Sequence, residues 1–386
     1  MNIKQLDKEY IANTYGRADV LFVSGKGSLI YDENGKEYID LGSGIAVSGL
    51  GIADDGWIAA VTEQLGKLSH VSNLYYTEPQ VKLAQMLCER TGLKKVFFGN
   101  SGAEANEAAI KCARKYASDK YGDGVRSTII TLKNSFHGRT ITTLAATGQD
   151  VFHKDFTPFT EGFVFAEANN IDSVRMLAEE NACCAVMMEL VQGEGGVLSL
   201  TQEFVDGVAR LCEEKDMLLV IDEVQTGNGR TGELFAFMNY GITPDIVTTA
   251  KGLGAGLPIG CAMMGEKTKD TFTLSSHGST FGGNPVCAAG AVYALSKLDD
   301  ELLNEVKEKS DYIVKELRNA KGVKSVSGMG LMLGIETERD AKEIVKDCLS
   351  KGVVCLTAKT KVRLLPALNI PFEQLKKAIE ILKECL

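Results

Sequence analysis

The sequence predicts an α/β protein: a large domain built on a mostly parallel sheet covered by helices, with a smaller α+β domain beside it. Three observations carry this. Over residues 55–270, short apolar runs alternate with helical patterns, the order that produces parallel strands with helices on both faces. One of those runs, 218–221, is the continuous apolar stretch of a fully buried strand, a second runs over 245–250, and each ends at a charged residue. The chain ends read differently, as a hairpin before residue 54 and short strands mixed with helices after 271, so 1–54 and 271–386 are expected to pack together as the small domain.

Taken in order, residues 3–14 carry Ile3, Leu6, Tyr10 and Ile11 at helical spacing. Apolar segments at 20–23, 28–31 and 36–39 follow, and Asn34-Gly35 between the last two is a strong hairpin signal. Residues 41–51, LGSGIAVSGLG, read as a glycine-rich loop that either merely links two domains or, through its small side chains, lets a substrate approach the backbone. Helices are expected at 57–68 and 79–90, then a strand into Asn100-Ser101 and a helix rich in Ala and Glu. Further strands fall at 127–132, 163–166, 184–190, 218–224, 245–250 and 259–264, with helices at 171–180 and 202–215 between them. After 285 come helices at 286–298 and 302–319. Strands at 323–326, 331–336, 353–356 and 361–364 then alternate with helices at 340–350 and 372–385.

Bulk properties narrow the function. A chain of 386 residues exceeds one ordinary core, and its 42 basic against 51 acidic residues, a net charge of −9, argue against general affinity for nucleic acid or anionic lipid. Ten cysteines lie scattered, with Cys183-Cys184 adjacent and no C-x-x-C spacing, which reads as reduced, buried thiols. The amino terminus has no hydrophobic signal core, and no run reaches the ~20 apolar residues of a membrane span. A cytoplasmic protein is expected.

The chemistry concentrates where two strands end. Asp222 and Glu223 close the 218–221 run, and neighbouring strand residues face opposite sides, so one acid at most points into a given site. Lys251 closes the other run, directly before Gly252-Leu-Gly-Ala-Gly256. Strand ends of this kind are where open α/β sheets bind ligands. A lysine there is either a solvated charge or an amine carrier whose pKa burial has lowered. With Asp222 to keep a pyridine ring protonated, the second reading describes a pyridoxal phosphate site.

Two other motifs lead away from this chemistry. Gly227-Asn-Gly229-Arg-Thr-Gly232 spells G-x-G-x-x-G, but it comes late in the sheet, precedes only a short segment at 233–240, and has Lys251 where a dinucleotide site needs an acid. Hydride transfer is therefore the rival that the spacing disfavours. The four histidines, His70, His137, His153 and His277, are too scattered to suggest a metal, and none is expected.

Several residues suit a phosphate-bearing aromatic cofactor. Ser101, Gly102 and Ala103 open a helix, whose free amides attract anions, although capping alone also explains a serine there. Phe136 offers a ring face or core filling. Gln225 reaches a ring hydroxyl if the chain turns after Asp222. Arg139 and Arg363 are candidate carboxylate clamps, or surface charges, and Glu194 is the natural counter-charge for one of them.

These residues resemble the class III, or ω-type, pyridoxal-phosphate-dependent aminotransferases of fold type I, over nearly the whole chain. The resemblance rests on Gly99-Asn-Ser-Gly-Ala-Glu-Ala-Asn-Glu-Ala-Ala-Ile-Lys111, Ser135-Phe-His-Gly-Arg139, Gln192-Gly-Glu-Gly-Gly196, Asp222-Glu-Val-Gln-Thr226, Thr249-Ala-Lys-Gly252 and His277-Gly-Ser-Thr-Phe-Gly-Gly-Asn-Pro285. It implies that Lys251 forms the Schiff base and Asp222 partners the ring nitrogen. Gln225 meets the ring hydroxyl, Phe136 stacks on the ring, and Ser101, Gly102 and Ala103 hold the phosphate. Ser279 would meet substrate, and Thr280 would reach the phosphate of a partner subunit, which implies a homodimer with shared active sites.

The resemblance also implies a two-half reaction in which a terminal amine passes through the cofactor to 2-oxoglutarate, leaving an aldehyde and glutamate. Arg139 would hold the far carboxylate, and Glu194 would release Arg363 when the α-carboxylate of glutamate arrives. Gly44-Ile45-Ala46-Val47 and the loop at 70–77 resemble the subgroup acting on N2-acetylornithine in arginine biosynthesis. Succinylornithine, succinyl-diaminopimelate, ornithine and 4-aminobutyrate are the alternative donors. A non-catalytic cofactor-binding scaffold is the other class of reading, and intact Lys251, Asp222, Arg139 and Arg363 argue against it. One departure stands out: Gly51-Ile-Ala-Asp-Asp55 replaces the Gly-His-x-His-Pro of many relatives.

Overall fold

The computed structural model describes residues 3–386. At its centre is a seven-stranded sheet in the spatial order Lys95–Gly99, Gly260–Met264, Ile246–Thr249, Leu218–Asp222, Cys183–Met188, Thr128–Leu132 and Phe163–Ala166. Gly260–Met264 runs antiparallel to both neighbours, and every other pairing is parallel. The apolar runs are continuous because both faces are covered: every residue of Cys183–Met188 and Leu218–Asp222 is buried.

Alternation along these strands sorts side chains between two cores. Ala185, Met187, Leu218 and Val220 meet Ala108, Ala109, Ala113 and Ala117 of helix Gly102–Tyr121, whose small side chains bring its axis close to the sheet. Val186, Met188, Leu219 and Ile221 turn the other way, onto Val174 of helix Ile171–Glu180 and Val205, Val208 and Leu211 of helix Gln202–Glu214. Opposite faces also separate the two adjacent acids. Glu223 is fully buried, taking hydrogen bonds from the Phe237 amide at 2.7 Å and Thr226 Oγ1 at 2.5 Å.

The chain ends meet in two smaller sheets. Leu29–Asp32 and Glu37–Asp40 pair as the hairpin that Asn34-Gly35 predicts, with Asp32 Oδ1 accepting from the Asn34 and Lys36 amides. The strand expected at 353–356 is two strands. Val353–Val354 joins Ile39–Asp40 in parallel, whereas Leu356–Ala358 enters a second sheet beside Lys361–Leu364. Cys355 lies between them, so a short extended run ties both ends of the chain together. Helix Pro285–Ser296 instead lies against the earlier part of the chain: a Cβ at Gly290 would stand 3.0 Å from Trp57 Nε1, and Arg90 Nη1 donates to the Leu295 carbonyl at 2.6 Å.

The expected loop at 41–51 contains a left-handed turn, with φ positive at Ser43, Gly44, Ile45 and Ala46. Such a turn costs L-residues roughly 1–2 kcal/mol each. Asp40 Oδ1 helps hold it, accepting from the Gly42 and Ser43 amides, and Ala46 packs onto Val191, Met332 and Leu365. All ten cysteines are free, and eight are buried. Among the described residues no helix is long and apolar enough to cross a membrane.

Burial pushes the Glu223 carboxyl up to about 7. A carboxyl raised in the folded state holds its proton there after the unfolded chain has lost it, so this group lowers stability as pH climbs from about 4.5 to about 7. In urea unfolding, Glu223→Gln is expected to gain on the native protein between pH 5 and pH 8, by up to about 3 kcal/mol. A stability difference that is flat across that range would contradict the assignment.

Candidate active site

Five parallel strands deliver their carboxyl ends to one cavity of about 470 Å³, well inside the range of small-molecule sites. Lys95–Gly99 leads into Asn100 and Ser101, Thr128–Leu132 into Phe136–Arg139, and Cys183–Met188 into Glu189. Leu218–Asp222 ends on Asp222 itself, and Ile246–Thr249 on Ala250 and Lys251. Leu257, Pro258 and Ile259 complete the wall, because the strand they enter runs the opposite way.

Asp222 is buried and heavily hydrogen-bonded. Its Oδ2 accepts from Asn106 Nδ2 and faces His137 Nδ1, both at 2.8 Å, while Oδ1 accepts from the Val224 amide at 3.0 Å. Asn106 is fixed in turn: it donates to the His137 carbonyl at 2.7 Å, and its oxygen accepts from Thr248 Oγ1 at 2.6 Å. Burial presses the His137 imidazole down, yet the hydrogen bond and charge of Asp222 outweigh it and hold the ring above its ordinary range. Glu189 completes the group, accepting from the Phe136 amide at 2.9 Å and the Gly193 amide at 3.3 Å. Burial raises its carboxyl.

Lys251 reaches the same cavity from a backbone with φ of 44°, the left-handed region that L-residues avoid. Desolvation holds its ammonium below the usual lysine range, against the pull of Asp222, Glu194 and Glu189. Gln225 also lines the cavity, since the chain does turn after Asp222.

Arg363 comes from the four-stranded sheet that holds Lys361–Leu364, in mid-strand opposite Gly334 and Leu356, and is buried. Its Nη1 meets Glu194 Oε1 at 2.5 Å and Gln225 Oε1 at 3.4 Å, while its Nε has no partner among the described residues. Arg139 is exposed at the cavity edge, with no carboxylate partner among the described residues; its guanidinium sits 4.1 Å from the Phe152 ring centroid and 5.4 Å from that of Phe136.

Ser101 caps helix Gly102–Tyr121 by accepting from the Glu104 amide at 3.2 Å. Capping does not exhaust the helix end: the Gly102 and Ala103 amides have no protein acceptor among the described residues and open on the cavity. Gly102 is forced by packing, as a Cβ there would stand 2.6 Å from Val224 Cγ1. Ser279 and Thr280 are not brought in. They lie on a separate pocket with Lys111, His277 and Phe281, where Ser279 Oγ meets Asn100 Nδ2 at 3.2 Å and Thr280 is exposed.

The sequence reasoning missed Asn106, His137, Glu189 and Val224. Two of them carried a signal: Asn106 interrupts an alanine stripe that the helix buries, and Glu189 ends an apolar strand as Asp222 does. The lining fits pyridoxal 5'-phosphate. Two free amides at a helix start suit a phosphate, a buried carboxylate with fixed donors suits a ring N–H, and an amine of lowered pKa shares the space. Among the described residues no group of three or more His, Cys, Asp or Glu side chains is arranged to hold a metal ion.

Comparison with known proteins agrees with this geometry. The family model described as "Aminotransferase class-III" matches residues 10–386. An acetylornithine aminotransferase from Haemophilus ducreyi is 52% identical, over 100% of this chain and 98% of that protein. Among solved structures, the N-acetylornithine aminotransferase from Stenotrophomonas maltophilia is 35% identical with a TM-score of 0.86, over 99% of this chain and 97% of that one. An ornithine aminotransferase from Toxoplasma gondii, with partial occupancy of PLP at its active site, is 30% identical with a TM-score of 0.94, over 99% of this chain and 93% of that one. With the match running from residue 10 to the last residue and an acid, an amine and two free helix amides meeting in one cavity, the chain belongs to the class III aminotransferases, proteins of pyridoxal phosphate fold type I.

Proposed function

We propose that this enzyme moves the terminal amino group of N2-acetylornithine to 2-oxoglutarate, giving N-acetylglutamate semialdehyde and glutamate in arginine biosynthesis. The single observation that carries this is Lys251 sharing one cavity with Asp222 and with Glu194, the residue that engages the buried Arg363. Support for the donor comes from relatives of the same subgroup matched end to end.

Bound in the cavity, pyridoxal phosphate supplies an aldehyde that takes up an amine and a cationic ring that accepts the electrons left when a carbon-bound proton departs. The residues do the rest. The Gly102 and Ala103 amides, with Ser101, would hold the phosphate, Phe136 and Val224 the ring, and Gln225 the ring oxygen. Asp222 would hold the ring N–H, its own position set by Asn106, His137 and the Val224 amide. Lys251 Nζ, its proton affinity lowered by desolvation, would be the base that takes the proton from the amine-bearing carbon of the donor and hands it on. Arg139, braced on Phe152, faces the far carboxylate of either substrate. Glu194 neutralises Arg363 while the donor's apolar stem is bound, then releases it to the α-carboxylate of glutamate.

A homodimer belongs to this reading. Ser279 and Thr280 face away from the Lys251 cavity and towards a partner's, Thr280 to its phosphate and Ser279 to its substrate. The surface around them supports this: Asn73 Nδ2 ties the 70–77 loop to the Ser279 and Gly282 carbonyls at 2.9 Å each. Leu74, Tyr75, Tyr76, Leu274 and Phe281 stand exposed on these two loops. Residues 55–270, joined by helix Pro285–Ser296 packed on Trp57 and Arg90, then act as the cofactor-binding domain, and the rest of the two chain ends as the small domain that presents Arg363. Ten unpaired cysteines fit a reducing compartment, the cytoplasm.

Three outcomes are expected. The purified protein with pyridoxal phosphate forms glutamate from N2-acetylornithine and 2-oxoglutarate, and Lys251→Ala lowers kcat by at least about a hundredfold; a protein inert with this donor but active on 4-aminobutyrate would overturn the choice of donor. Arg363→Ala raises KM for 2-oxoglutarate by about 10- to 100-fold, the loss of a charge-assisted pair, and leaves KM for the acetylated donor far less changed; unchanged KM for 2-oxoglutarate refutes the Arg363 assignment. Sedimentation gives a dimer, and Thr280→Ala weakens cofactor binding in an absorbance titration; a monomer of full activity rules out shared sites.

A further inference from the structure

The turn Gly227–Gly232, which imitates a nucleotide-binding fingerprint in sequence, lies against the strand end that carries Lys251. Asn228 is buried there, and its Nδ2 donates to Thr249 Oγ1 at 2.8 Å and to the Ala250 carbonyl at 3.2 Å. The same carbonyl accepts from the Leu253 amide at 2.9 Å, so both its lone pairs are engaged, one by the turn that starts at Lys251 and one by Asn228. The packing is close: a Cβ built on Gly252 would stand 3.1 Å from Asn228 Cβ.

We propose that Asn228 is the positioning residue for Lys251, clamping the Ala250 carbonyl so that the following residue enters the cavity with its amine in a fixed place. The inference rests on reading Lys251 as the reacting amine. Lys251 has φ of 44°, a conformation that persists only where the surroundings over-determine it, and the Asn228 amide is a side chain that ties its preceding peptide from outside the turn. Asn228 is itself left-handed, φ 57°, which asparagine accepts more readily than most residues. Its flanks leave no slack, since Gly229 has φ of 85° and a Cβ on Gly227 would meet the Glu223 carbonyl oxygen at 2.8 Å.

The unpaired half of the amide sharpens this. Asn228 Oδ1 is buried with no partner among the described residues, which costs the desolvation of an acceptor. An apolar side chain would fill the space without that cost, so what the amide contributes is its donor. The carbonyl of Ala250 accepts only, which fixes the amide with Nδ2 towards it.

Asn228→Gly tests the idea, because glycine keeps the positive φ without strain and deletes both hydrogen bonds. Thr249→Val removes one of the two and leaves Asn228 in place, so it reports even if the glycine variant folds poorly. In cofactor-free protein, amide hydrogen exchange in peptides spanning 250–256 is expected to quicken at least about tenfold in Asn228→Gly and by a smaller factor in Thr249→Val, with the strands Leu218–Asp222 and Cys183–Met188 unchanged. In loaded enzyme, kcat of Asn228→Gly falls at least about tenfold while KM for both substrates stays within about twofold. Exchange that rises equally in the strands shows a merely structural side chain and overturns the proposal. So does a kcat within about twofold of native when local exchange has risen. A native protein that forms no glutamate from any donor fails the aminotransfer reading instead, and the exchange data still decide whether Asn228 holds the segment.

Discussion

A carboxylate buried at the end of a strand has to be hydrogen-bonded on several sides, and the site depends on how Asp222 meets that requirement. Three donors reach it from three directions: the amide of its own turn, the side chain of Asn106 from a helix, and the ring of His137 from a loop. Each is fixed by something else, Asn106 by Thr248 and His137 by the Thr147 hydroxyl that meets its backbone amide. Asp222 is thereby fully hydrogen-bonded where it is buried, whereas burial pushes the carboxyl of Glu223, one residue later, up to about 7. Two adjacent acids at one strand end thus meet different partners, because they face opposite sides of the sheet.

The second constraint is that one cavity has to serve two substrates of different charge. The structure answers with parts from different places in the chain. Arg363 is carried by a strand of the small sheet and is buried, so its charge needs a partner, and the half-exposed Glu194 is that partner. Arg139 has no acid partner among the described residues and rests instead on two aromatic rings. One arginine is thus masked and the other open, which is the asymmetry that a pocket needs when a carboxylate is present at one end in both substrates and at the other end in only one.

The sheet topology explains why such distant residues meet. Six strands run the same way, and the loops after five of them share an edge, so each strand exit adds one chemical group at a spacing set by the ladder rather than by the sequence. The chain closes on itself through Val353–Val354 and Leu356–Ala358, consecutive strands in different sheets, which connects the amino-terminal hairpin to the strand that carries Arg363.

Much of this was legible in the residues. Buried strands announce themselves as continuous apolar runs, and a charge at the end of such a run has few reasons to be there. Asp222 and Lys251 were found that way, and the same rule applied to Glu189 would have found a third group. Asn34-Gly35 specified its hairpin because few residues tolerate that turn. What the sequence could not decide was anything that depends on two segments meeting in space. A single extended run at 353–356 does not reveal that Cys355 divides it between sheets, and G-x-G-x-x-G at 227–232 does not reveal that Asn228 grips the Ala250 carbonyl. Periodicity and propensity are properties of neighbours along the chain, so they determined the elements and their charged ends; hydrogen bonds between strand ends, helix starts and loops form only once the sheet has set their distances, and those were left to the tertiary structure.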